Sequence, residues 1–349
     1  MDREEIQGLV RQGEIISKKD LAGIDLSGAA LTGGIFEEVD FSRARLEGAD
    51  CRESVFMGCR FDGATLSSVN FHHATICTCG FIGTDLSRAQ LMAAKVTQSD
   101  LTGADLSRAD LRTTAFAQCR LNKAILSGAE MERTVFIEPE TNGIDFSGTV
   151  LRQTVLLKVD LTSAVLNGCR FDMAVLIEAN LAGLDLSGHD FTLTQFMGAD
   201  LSGCNLKGAN LTQCNFKGAK LEKARLDNTT TNNALFVEAG LNEATLKNSR
   251  LNQAIFIDAE LERADFSGAS MQQCILTGAK CMQARFAGAD LTYADFTHAD
   301  LTGADIRGAV MFRTKLHGIR DTGALFTDRS MALGNDPDLM AAETWRPRY

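Results

Sequence analysis

Along this chain the large apolar residues recur every five positions, as in SDLTGADLSRADL around residue 105 and GADLSGCNLKGANLTQCNF around residue 205. Taking every fifth position from Leu21 to Leu316 gives 60 positions, and only Thr141 and Thr231 among them are not Leu, Phe, Ile, Val, Met or Cys. Nineteen of the 20 Phe share this phase, Phe312 being the exception, so no insertion shifts the register over nearly the whole chain. A period of five fits neither a helix of 3.6 residues per turn nor a strand of two. It fits a three-residue extended piece followed by a two-residue corner. Two residues before each large centre stands a small residue, as at Ala44, Ala104, Ala164, Ala209, Ala254 and Ala294. Strand alternation turns both inward and the residue between them outward, and that residue is usually Asp or Asn. Ser or Thr followed by Gly, as at Ser27-Gly28 and Thr302-Gly303, supplies the turn chemistry of the corner.

A longer period counts the walls. Phe recurs at steps of 20, at Phe36, Phe56, Phe116, Phe136, Phe196, Phe216, Phe236, Phe256 and Phe296. Nine of the 15 positions in that column are Phe, against three of 15 in each other column, so four pentapeptides make one coil. The expected fold is an all-β solenoid of about 15 four-sided coils, filled by its own centres. At a strand spacing of roughly 4.8 Å that is a rod on the order of 70 Å long. The repeats span residues 16–330 as one domain. Residues 1–15 read as an N-terminal capping helix, with Asp2 and Glu5 as a capping box, and residues 331–349 as a C-terminal helix and tail opening at Asp336-Pro337. Pro139 at a small inward position, with Thr141 at a centre, predicts a local bulge or broken corner; NTTTNN at 228–233 predicts a weak coil.

The tandem A(D/N)LxG motif over residues 16–330 resembles the pentapeptide-repeat family. That resemblance implies a right-handed quadrilateral β-helix. It also brings the family's range of roles: topoisomerase-protecting DNA mimics, secreted bacterial effectors and secretion-system accessory proteins. Family members often pair through their C-terminal end, which makes the C-terminal segment a candidate dimerisation element.

Composition then removes whole classes of function. The net charge of -10, from 35 Lys+Arg against 45 Asp+Glu, argues against a protein that binds nucleic acid by neutralising phosphates. No run of about 18 apolar residues is present, so no membrane span is expected, and the acidic start MDREEIQGLV lacks a signal peptide's form. Of the ten Cys, Cys59, Cys79, Cys119, Cys169, Cys204, Cys214 and Cys274 fall in the small inward column, Cys51 and Cys281 are centres, and only Cys77 points out. They read as small buried hydrophobes in a reduced, cytoplasmic chain, with no zinc motif. His72-His73 lie at a corner and read as solvated. His189 occupies an inward position and reads as a buried neutral ring with a backbone partner. With no nucleophile–base pair, phosphate loop, cofactor motif or metal motif, the expectation is a non-enzymatic protein without cofactor.

One signal remains. Three walls are polar outside, one showing Asp85, Asp105, Asp145, Asp185, Asp265 and Asp305. On the Phe-rich wall the outward pairs are apolar instead: Val135/Ile137, Val155/Leu157, Val175/Ile177, Leu235/Val237 and Ile255/Ile257, extended by Ile35, Val55, Met57, Met197 and Ile275. Val and Ile stabilise any strand, but these five apolar pairs fall in one column and cluster in neighbouring coils. This wall is the expected docking face for another protein or for a second copy of the chain. The functional expectation is a scaffold or adaptor, such as an effector-loading accessory of a bacterial secretion system. The alternative is a DNA-mimicking topoisomerase (gyrase) protection protein acting through its acidic walls, where Asp290, Asp295, Asp300 and Asp305 place one acid per wall.

Overall fold

The computed structural model describes residues 1–346, and the last three residues of the expected tail lie outside them. Contacts group the chain into two compact units, Met1–Asn180 and Leu181–Tyr349. Each is a parallel β-solenoid in which residue i pairs with residue i+20.

The first unit opens with helix α1 (Arg3–Gln12). Asp2 caps it, accepting the Glu5 amide at 2.9 Å as the capping box predicts, and Gly13 closes it at φ 72°. Ile6 and Val10 are its buried residues, and Gln7 Oε1 accepts the Ala30 amide at 2.8 Å, so the helix satisfies an edge of the coil it covers. Eight three-residue strands follow on one wall: β1 (Ile15–Ser17), β2 (Ile35–Glu37), β3 (Val55–Met57), β4 (Thr75–Cys77), β5 (Lys95–Thr97), β6 (Ala115–Ala117), β7 (Val135–Ile137) and β8 (Val155–Leu157). They pair in chain order, parallel and in register, Phe36 on Phe56 and Phe116 on Phe136. The other walls pair through single parallel bridges such as Arg45 with Thr65 and Arg60 with Gly80. In the second unit the same bridges recur, for example Asn205 with Arg225 and Leu235 with Ile255. It ends with β9 (Asp305–Ile306), β10 (Leu325–Phe326) and α2 (Pro337–Thr344). There the spacing breaks: Lys315 pairs with Leu333, eighteen residues on.

One pentapeptide shows why the sequence folds this way. The amides of Gly103 and Leu106 donate to the carbonyls of Asn122 and Ile125 in the next coil, at 2.8 and 2.7 Å. The Asp105 amide donates backward to Thr84, and the Ala104 amide closes the corner onto Leu101. Ala104 and Leu106 are fully buried. The corner residue sits near φ +60°, at Gly103 φ 67° and at Arg108 φ 56°, which is the reason glycine recurs at that place. Inside, Phe rings of one column stack nearly parallel, Phe216 on Phe236 and Phe236 on Phe256 each at 4.8 Å.

The small inward column carries a chemistry that phase alone did not expose. At most places where it holds Ser, Thr or Cys, the side chain donates to the carbonyl 23 residues earlier, as Ser54 to Leu31, Thr84 to Phe61, Thr114 to Leu91, Cys204 to Leu181 and Cys274 to Leu251, whereas Thr149 and Thr229 donate three residues back, to Phe146 and Leu226. These thiols are therefore weak donors between coils as well as small apolar fillers. All ten cysteines are free, and only Cys77 is not buried. Burial pushes the Cys214 and Cys274 thiols up to about 12, far from thiolate chemistry.

The coil at Pro139 keeps its pairing only in part: Glu138 donates to Leu157 and Glu140 to Cys119, both at 3.0 Å, but the corner that follows reaches the next coil through side-chain oxygens, the Gly143 amide donating to Ser163 Oγ at 3.0 Å. Pro139 itself is buried, and the Thr141 hydroxyl donates to the Asp160 carbonyl at 2.5 Å. In the NTTTNN coil, Thr231 is fully buried at its centre and donates to Thr229 Oγ1 at 2.9 Å, so hydroxyls satisfy one another where Leu is missing.

Two substitutions test this account by thermal denaturation. A Cβ added at Gly103 meets no atom within 4 Å, so Gly103→Val reads chiefly the backbone term and costs about 1–2 kcal/mol for a branched residue at positive φ. Phe236→Ala opens the stacked column and costs about 3–5 kcal/mol.

Candidate interaction surface

The walls that the sequence marks as apolar are strands β7 and β8 and the segment after them. Val135 lies on Val155 and Ile137 on Leu157 in the parallel register, and Val175 bridges to Val155. All six outward side chains, Ile177 included, are half-buried, each partly shielded by the pair one coil away. Polar ladders border the stripe. On one side Lys158 Nζ meets Glu138 Oε1 at 2.7 Å; on the other, Arg133 Nε donates to Gln153 at 3.0 Å. The hydrogen bond and charge of Lys158 hold the Glu138 carboxyl below the usual carboxylate range.

The same column in the first unit also holds Ile35, Val55 and the exposed Met57, but Thr75/Cys77, Lys95/Thr97 and Ala115/Ala117 separate these from the stripe. In the second unit Leu235, Ile255 and Ile275 bridge in order, with Val237 and Ile257 beside them. Leu235 and Met197 are exposed there, and Val237, Ile255, Ile257 and Ile275 are half-buried. The structure thus assembles the ten candidate residues into two stripes, one in each unit, of three and two successive coils.

The acidic ladder behaves differently from a bare row of charge. Asp85, Asp105, Asp145, Asp185 and Asp265 each accept the amide two residues on, at 2.8–3.0 Å, the Asx turn that shapes the corner. Asp265 is buried, with Lys247 at 3.2 Å. Of the four acids at 290–305, three face a cation: Asp295 with Lys315 at 3.0 Å, Asp300 with Arg320 at 3.6 Å and Asp305 with Arg307 at 2.8 Å. The Arg307 hydrogen bond draws the Asp305 carboxyl down to about 2.

The histidines divide between expectation and correction. His189 is half-buried rather than buried, with Nδ1 3.3 Å from the Ser187 carbonyl and its ring 5.7 Å from that of Phe191. A polar ring keeps its edge toward water at a place where an apolar side chain of similar size, Ile144 of the same column, is fully buried. The His72 and His73 rings lie 4.2 Å apart, tilted at 49°, with His73 exposed. Sequence reasoning missed an aromatic corner in the second unit, where Phe312 meets exposed Tyr293 at 5.6 Å and Arg313 lies 5.9 Å over the Tyr293 ring. Its one signal was that Phe312 breaks the five-residue phase. It also missed that His298 and His317 converge on Glu343 of α2. Among the described residues no helix is long and apolar enough to cross a membrane.

Comparison with known proteins agrees with this geometry. The family model "Pentapeptide repeats" matches residues 20–230 and 239–318. No curated protein matches the chain. Among solved structures, it is similar to HetL of the cyanobacterium Nostoc, described as involved in heterocyst differentiation regulation, at 24% identity over 75% of this chain and 92% of that one, with a TM-score of 0.21. Full-length QnrB1, a plasmid-mediated fluoroquinolone resistance protein, is 23% identical over 60% of this chain and 93% of that one, TM-score 0.24. Rfr23 of the cyanobacterium Cyanothece is 18% identical over 46% and 91%, TM-score 0.18. Likenesses at this level say nothing of what this chain binds.

The Asp305 pairing yields a pH prediction. A carboxyl held at about 2 contributes stability above the ordinary aspartate value of about 3.9 and loses it as pH falls toward 2. Carboxyl NMR titration of Arg307→Gln should return Asp305 toward the ordinary value; an unmoved midpoint would mean the turn amides, not the guanidinium, set it.

Proposed function

Because the chain belongs to the pentapeptide-repeat family and fills its coils with its own side chains, we propose that it is a non-catalytic scaffold that docks a partner protein on the apolar wall of its coils. The observation that carries this reading is the run of stacked pairs Val135/Ile137, Val155/Leu157 and Val175/Ile177, bordered by ion-paired and hydrogen-bonded corners. Apolar stripes with polar rims are the ordinary anatomy of protein interfaces. The partner is a second protein or another copy of this chain. As a finer proposal, resting on family analogy, the scaffold handles an effector in the cytoplasm for a bacterial secretion system.

The DNA-mimic reading needs a row of uncompensated charge. It is weakened by the cations beside Asp295, Asp300 and Asp305 and by the Asx turns that occupy the ladder acids. We therefore place the docking reading first.

The test is co-purification from native lysate followed by rebinding of the captured protein to purified wild type and to a Val155→Glu/Ile177→Glu variant. Both changes point outward, so circular dichroism should be unaltered. The expected result is binding that survives high salt in wild type and falls by at least about a hundredfold in the variant, since an apolar contact must then desolvate two carboxylates. Equal binding by both forms, or binding lost with salt, removes the wall from the account and favours the acidic surface.

A further inference from the structure

Helix α2 sits on the coils in an unusual way. It has eight residues and buries none of them. Helices this short are marginal in water, and most protein helices are held by an apolar face. Here the attachment is polar and converges on two histidines. Asn335 Oδ1 accepts the Gly318 amide at 2.9 Å, and the Asp336 amide donates to Nδ1 of buried His317 at 3.0 Å. At the far end of the helix, Glu343 spans both rings: Oε1 lies 3.0 Å from His298 Nε2 and Oε2 3.3 Å from His317 Nε2. Gly318 makes the arrangement fit, because a side chain there would collide with the His298 ring.

The three ligand atoms lie within 4.8 Å of one another, a spacing that invites comparison with a metal centre. The proton count answers it. A neutral imidazole has one N–H, and Nδ1 of His317 already accepts from the Asp336 amide, so the ring proton stands on Nε2 and points at Glu343. A metal would need the lone pair that this proton occupies. The arrangement is a hydrogen-bonded clasp.

We propose that α2 is a detachable strap, closed by the carboxylate of Glu343 bridging His298 and His317, which opens when that charge is removed while the coils stay folded. Opening undocks the segment from His317 without disturbing any buried side chain of the helix, whose Leu339 and C-cap Trp345 are exposed in the closed arrangement already. The titratable groups that face Glu343 are His298 and His317. Desolvation pushes its carboxyl up, but the hydrogen bonds from the two rings outweigh it and hold the group below the usual glutamate range. The grip is thus present above that range and fails as pH falls through the lowered value.

Trp345 is the chain's single tryptophan and stands at the C-cap of α2, so its fluorescence reports the strap directly. Time-resolved anisotropy at about pH 7.5 should show Trp345 tumbling with the coils in wild type and gaining a fast component in Glu343→Gln, the glutamate being ionised there. Proteolytic cleavage between Asn335 and Trp345 should speed up about tenfold, the effect expected when a charge-assisted hydrogen bond is lost. Far-ultraviolet circular dichroism and the melting transition of the coils should not change. His317→Ala, read by the same two measurements, should match Glu343→Gln. Wild-type anisotropy and cleavage in both variants would overturn the proposal. So would a wild-type Trp345 that is already fully mobile, or one mobilised by EDTA and restored by zinc ions alone, which would make the site a metal centre after all.

Discussion

Everything in this molecule depends on one constraint: each coil must be twenty residues long. The amide of Leu106 reaches the carbonyl of Ile125 and the amide of Asp105 reaches that of Thr84 only because the two coils match residue for residue. The same match places Phe216 over Phe236 and Phe236 over Phe256, so backbone pairing and ring stacking are satisfied by a single spacing. A slip of one residue would turn every inward side chain outward. Where the spacing changes, at Lys315 paired with Leu333, the regular coils are ending.

That constraint explains why so much was legible in the sequence. Leu106, Ala104 and Gly103 each answer to one geometric demand: a large centre, a small filler and a corner at positive φ. Three residues in five are therefore readable without any structure. The misreadings share a cause, which is that phase gives the direction of a side chain and not the direction of the carbonyls around it. It did not show that Ser54, Thr114 and Cys204 donate across coils, or that Glu138 and Glu140 carry the pairing past Pro139. Nor does a local helix signal say what a helix rests on. Asp336-Pro337 correctly marks the start of α2, but its attachment lies in His298 and His317, dozens of residues from Glu343 and without a motif of their own.

The same division separates structure from function in the outward positions. Acids recur on the outside because the corner needs an acceptor for the amide two residues on, as Asp85 and Asp105 show, so their number overstates the free charge. No such demand calls for Val155 with Leu157 or Val175 with Ile177, since Lys95/Thr97 and Ala115/Ala117 fill the equivalent places elsewhere on that wall. Residues that the coil does not require are where selection by a partner has room to act, and that is the basis for the docking reading.

The central claim, that coil length governs the fold, is tested most directly by insertion. One alanine placed after Gly103 and, separately, a complete twenty-residue coil copied from 84–103 placed at the same point differ only in whether the register survives. The account predicts that the whole coil is accepted, with a cooperative melt close to that of the parent, and that the single alanine disrupts the first unit, with lost β signal and a lowered or broadened transition. Equal tolerance of both insertions would contradict it.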